Sequence, residues 1–179
     1  MIIPGILISL LTFPGVIVHE LAHQIFCRLT NTAVLDVCYF RIGNPSGYVI
    51  HEKPKSAGRN ILIGVGPFFI NTILGAVIAL PAAISNFSFG GDVDAKKIFT
   101  YFLAWLGISI AIHSFPSTGD AKSMWKAIKE PGTSILTRIV GAPIIGLIYL
   151  GAAGSVFWLD LFYGVGVSYG LSRLLVSIV

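Results

Sequence analysis

From Pro4 to Phe26 the chain is apolar with one charged side chain, Glu20, and that residue lies within His19-Glu20-Leu21-Ala22-His23. The run is long enough to cross a bilayer as a helix. A glutamate at membrane depth costs about 2.5–3.5 kcal/mol on insertion scales, so an ionisable residue placed there marks function. Residues four apart share a helix face, so His19 and His23 can offer two imidazole nitrogens to one zinc ion. Glu20 follows the first of them and is placed to deprotonate a water made acidic by the metal. The competing reading, an accidental H-E-x-x-H on an ordinary helix, does not account for that insertion cost.

Composition points the same way. The 179 residues are 55% hydrophobic and 11% charged, with a mean hydropathy of +0.85, whereas soluble domains are about a quarter charged. The expected class is an all-α polytopic membrane protein. The net charge of +4 does not argue for nucleic acid, because basic residues beside spans set orientation. Cys27 and Cys38 form no C-x-x-C and suggest no disulfide framework. The first apolar run has no basic leader and carries the metal motif, so it is not expected to be a cleaved signal peptide.

Taken in order, the sequence predicts about five transmembrane helices, with a small β hairpin between the first and second. The first runs from Ile3 to Leu29, kinked at Pro14-Gly15 just before His19. The polar segment from Thr30 to Asn60 holds two short strands, Ala33–Ile42 and Gly47–His51, around the turn chemistry of Asn44-Pro45-Ser46-Gly47. The second span is Ile61–Ile84, and a turn region follows over Ser85–Lys97. A third runs from Ile98 to Phe115 and stops at Pro116. Ser117–Ser134 reads as a polar loop. The stretch from Ile135 to Val179 is too long for one span and breaks near Trp158-Leu159-Asp160, giving two closing helices. Trp158 and Asp160 are expected at the outer interface between them. With the N-terminus outside, ten Lys and Arg residues fall inside, and only Lys96 and Lys97 fall outside, beside Asp92 and Asp94. That bias puts the histidines in the cytoplasmic half of the first span.

Two histidines leave a catalytic zinc one protein ligand short. Cys27 is four residues beyond His23, but residues 19 and 27 of a straight helix are about 12 Å apart along the axis, too far for one ion. Cys27 reads as apolar packing. Asp120, just after the third span on the same expected side, is the better candidate. From the loop alone, a ligand and a solvated carboxylate weigh evenly. Asp36, Glu52, Glu130 and Asp160 are weaker, since no motif singles them out.

Three pieces together resemble the site-2 protease family of intramembrane zinc metalloproteases, in a minimal core form. They are His19-Glu20-Leu21-Ala22-His23 in the first span, Gly66-Pro67-Phe68-Phe69-Ile70-Asn71 in the second (the family's G-P-x-x-x-N), and Pro116 followed closely by Asp120 (its Asn-x-x-Pro…Asp-Gly). Two positions depart from that pattern: His113 stands where the family has Asn, and Ala121 where it has Gly.

The resemblance implies a three-helix catalytic core over residues 1–121, including the hairpin near 33–51. Residues 122–179 would then add a cytoplasmic loop and two further helices. It also implies one zinc ion per chain on His19, His23 and Asp120, with Glu20 as general base. His113 is open as a donor that orients a ligand, a substitute ligand or a packed histidine. Asn71 is equally interhelical glue or a hydrogen-bond donor to substrate or a developing oxyanion. The implied substrates are transmembrane segments of single-pass proteins, held by strand addition near Gly47–His51. No PDZ-like or CBS-like segment accompanies the core, so selection would fall to the core itself or to a membrane partner. The rival expectations are an inactive homologue that binds membrane partners and a metal-carrying transporter, which has no need of Glu20.

Overall fold

The structure, a computed structural model, describes residues 5–84 and 94–178. Ile3, residues 85–93 with Asp92, and Val179 lie outside the described residues. The order is α1 (Gly5–Leu11), α2 (Phe13–Leu29), β1 (Val34–Cys38), β2 (Tyr48–His51), α3 (Ala57–Ile84), α4 (Ala95–Ile112), α5 (Thr118–Lys129) and α6 (Ile135–Gly154). A 3₁₀ turn (Ser155–Phe157), α7 (Leu159–Val165), a π-helical segment (Gly166–Leu171) and α8 (Ser172–Ile178) complete it.

α3, α4 and the run Ile135–Phe157 are long and apolar enough to cross a membrane, and α1 with α2 makes a fourth if the bent pair counts as one span. That is compatible with a multi-pass membrane protein, with three or four candidate spans against the five expected. Exposed Phe69, Ile73 and Val77 on α3, and Ile139, Leu147 and Leu150 on α6, give these helices apolar outer faces.

The expected first span is not one kinked helix. It bends by 90° between α1 and α2, before Pro14 rather than at Pro14-Gly15. A proline ring clashes with the carbonyl four residues earlier, so the break falls on its N-terminal side. Thr12 occupies the corner, its hydroxyl donating to Ile8 O at 2.7 Å. α3 and α4 approach closely where glycines face each other. A Cβ on Gly75 would sit 2.9 Å from Gly107 O, and one on Gly107 would sit 2.7 Å from Gly75 O.

The predicted polar loop over Ser117–Ser134 contains a helix instead. Ser117 and Asp120 form a capping box at the start of α5, and Ala121, Met124 and Ile128 bury one face of it with Ile61, Ile145 and Ile148. The apolar period was present, but the lysines between obscured it.

The closing stretch breaks at Trp158 as expected, yet it does not return as an antiparallel span. Tyr163 packs on Phe68 and Phe115, with ring centroids 5.9 and 4.8 Å away. Its hydroxyl lies 2.7 Å from Thr72 Oγ1. Further along, Val167 packs with Ala76 and Ala111, and Ser172 Oγ donates to Ala76 O at 2.8 Å. The segment therefore runs in the same direction as α3. α6 lies beside the Ile61 end of α3 and brings Gly151 against Phe115. Together α6 and α7–α8 follow α3 along its length. This moves Asp160 from the expected outer interface to the wall of a central cavity, with Trp158 at the corner just before it.

Strands β1 and β2 pair antiparallel, with Cys38 opposite Tyr48 and Val34 opposite His51, and an irregularity between Val34 and Asp36. Both are shorter than expected. Among the described residues the sheet has these two strands, so each has an edge that no described strand pairs.

Candidate metal centre

His19, Glu20 and His23 lie on α2, well inside the fold. Glu20 is 8% exposed and His23 6%. Each histidine is aimed by a backbone carbonyl from another element. His19 Nδ1 is 2.7 Å from His113 O at the end of α4, and His23 Nδ1 is 2.9 Å from Ile63 O on α3. An imidazole nitrogen facing a carbonyl must carry the proton, which leaves Nε2 of both rings with a free lone pair. These two Nε2 atoms point at each other 3.1 Å apart.

Asp120 completes the group from α5. Its Oδ2 accepts from Ser117 N at 2.8 Å and Ser117 Oγ at 2.6 Å, while its own N–H donates to Ser117 Oγ at 3.1 Å. Oδ1 is left free, 3.6 Å from His23 Nε2. Burial pushes the Asp120 carboxyl up, but His23, His19 and the Ser117 hydrogen bond hold it well below the usual carboxylate range.

The three ligand atoms of His19, His23 and Asp120 lie within 4.8 Å of one another. Tetrahedral zinc, with bonds of about 2.0–2.2 Å, separates its ligand atoms by roughly 3.3–3.5 Å. Two converging lone pairs beside a carboxylate repel one another unless a cation or proton lies between them. The donor set and its spacing therefore fit a divalent metal.

His113 and Asn71 do not join this group. His113 Nε2 lies 2.8 Å from Thr12 Oγ1. The Thr12 hydroxyl hydrogen is used on Ile8, so the imidazole N–H donates. The contribution of His113 to the centre is its carbonyl, which any residue can supply, so Asn and His are interchangeable there in this respect. Asn71 is fully buried. Its Nδ2 donates to Gly15 O, Ile110 O and His113 O at 3.3, 3.2 and 3.1 Å. It ties α2, α3 and α4 together and steadies the same carbonyl that aims His19. The sequence treated glue and oxyanion donor as equals. The structure commits the amide nitrogen to three carbonyls, and Asn71 does not line the cavity beside the metal group. Ala121 is also fully buried.

The hairpin covers Glu20. A Cβ on Gly47 would sit 2.7 Å from Glu20 Cγ and 2.9 Å from its Oε1, so any other residue there would push the carboxylate from its place. Gly47, Tyr48, Val49 and His51 border a cavity of about 590 Å³ that also holds His19, Glu20, His23 and Asp120. Asp160 and Ser155 line the same cavity, a placement that hydropathy could not show.

Residues 12–135 match the family described as "Putative zincin peptidase". The chain belongs to that family. No curated protein and no solved structure matches it. The zincin peptidase match spans α2 through α5, and so includes all three metal-group residues, Glu20 and the hairpin. Membership suggests a zinc metallopeptidase, which agrees with the donor set.

Proposed function

We propose that this zincin peptidase is an intramembrane protease of the site-2 type, which hydrolyses peptide bonds within transmembrane segments of single-pass proteins. The observation that carries the reading is the shared cavity. In it, a histidine pair and a glutamate from an apolar helix meet Asp120 and the unpaired edge of β2.

His19, His23 and Asp120 would hold one zinc ion. When bound, the metal supplies Lewis acidity to the scissile carbonyl and to the attacking water. Glu20 accepts a proton from that water and returns it to the departing amine nitrogen. Its burial under Gly47 keeps bulk water away. A helical peptide bond is protected by its own hydrogen bonds, so the substrate must first be extended. The free edge of β2 offers main-chain partners for that form.

Charge supports an inner placement of the site. Because α7–α8 runs with α3, Arg173 moves to the opposite side from the first expectation, and the count becomes nine basic residues against three. The excess still favours a site on the cytoplasmic side with the N-terminus outside. Substrate selection uses the cavity itself or a membrane partner.

The test is cleavage of a panel of single-pass proteins by the zinc-loaded chain in lipid nanodiscs, with products located by mass spectrometry. We expect cuts inside the membrane segment, lowered about 10²–10⁴-fold by Glu20→Gln while zinc is retained. Cuts confined to soluble loops, or zinc transport into vesicles that persists in Glu20→Gln, would overturn the reading.

A further inference from the structure

Asp160 is a second carboxylate in the cavity that the chemistry above does not use. It reaches the cavity through an unusual corner. Trp158 adopts φ +65°, a left-handed conformation costly for a bulky residue, between a 3₁₀ turn and α7. Without that corner α6 would continue and carry Asp160 elsewhere. The carboxylate accepts a hydrogen bond from Leu161 N at 3.0 Å. Among the described residues it has no salt-bridge partner.

The charge balance of the cavity sharpens the point. Its lining holds three carboxylates, on Glu20, Asp120 and Asp160, and neither lysine nor arginine. A divalent metal would offset the first two. The third is left half-buried at a depth where an unpaired charge is costly. It reaches the cavity beside Ala152 and Ser155, from a part of the chain that carries none of the metal-group residues.

We propose that Asp160 is a specificity-determining residue, whose end of the cavity receives a lysine or arginine side chain of the substrate, removed from the scissile bond. This rests on the reading of the cavity as a peptide-cleaving site. A basic residue within a membrane segment is costly unless paired, so the preference would admit a substrate by that residue and set where along the segment it is cut.

Binding tests this separately from cleavage. Single-pass peptides with Lys, Gln or Glu at successive positions along the membrane segment are titrated against the zinc-loaded Glu20→Gln chain in nanodiscs. The same titration is run with Asp160→Asn and Asp160→Lys added. We expect one or two positions at which Lys binds about tenfold more tightly than Gln. That preference is erased by Asp160→Asn and turned towards Glu by Asp160→Lys, with zinc content unchanged. A Lys preference that survives Asp160→Asn, or none at any position, overturns the proposal. Failure of the wild type to cut peptides that bind in this way would instead overturn the protease reading and leave the basic subsite standing.

Discussion

The two halves of the metal group are built in opposite ways. His19 and His23 take their spacing from one helix and their aim from distant chain, the carbonyls of His113 and Ile63. Asp120 is held almost wholly by its own turn, through three hydrogen bonds with Ser117. Its position relative to the histidines comes from packing of α5 through Met124 and Ile128. The histidine half depends on the fold for orientation, the aspartate half for location. The same oxygen pair serves both roles on α5: Oδ2 caps the helix and Oδ1 faces the metal position.

That difference can be broken from either side. The largest effect is expected from His23→Ala, which removes a ligand and leaves a buried hole against Ile63 O. Zinc content should fall to background, with the helical circular dichroism retained. Ser117→Ala should come next. It leaves every ligand in place but removes two of the three hydrogen bonds that hold Asp120, keeping only that from Ser117 N, so zinc affinity, read by competition with a chelator, should drop about 10–100-fold. It should also cost about 1 kcal/mol of stability through the lost cap.

Asn71→Ala acts on the histidine half from a distance. Three carbonyls lose a shared donor, for about 1–3 kcal/mol of stability in thermal unfolding. Zinc affinity should weaken less than with Ser117→Ala, because His113 O still has His19 as its donor. Gly47→Ala should have the smallest effect on metal. Zinc binding should stay at the wild-type level while peptide cleavage falls, since the new methyl group displaces Glu20 rather than a ligand. Equal loss of zinc in Ser117→Ala and Asn71→Ala would erase the distinction between locally and remotely held ligands.

The same contrast explains what was legible in the sequence. His19, Glu20 and His23 were readable because a helix converts spacing into geometry without further information. Ser117-x-x-Asp120 is itself a helix-start signature, but the lysine-rich segment after it looked like a loop, so α5 was missed while its key residue was found. The role of His113 was not readable, because its backbone carbonyl does the positioning and a sequence shows only side chains. The path of the last 25 residues was not readable either. Hydropathy marks the break at Trp158 but is blind to direction, and only Tyr163, Val167 and Ser172 reveal that the chain continues along α3. Asp160, which no motif singles out, reaches the cavity only through that path.

The central claim is that His19, His23 and Asp120 hold the metal while His113 only aims one of them. Zinc content of the purified chain in detergent, measured for wild type, Asp120→Ala and His113→Ala, tests it most directly. The account predicts one zinc per chain in wild type, lost in Asp120→Ala and kept in His113→Ala. Retention in Asp120→Ala together with loss in His113→Ala would contradict it.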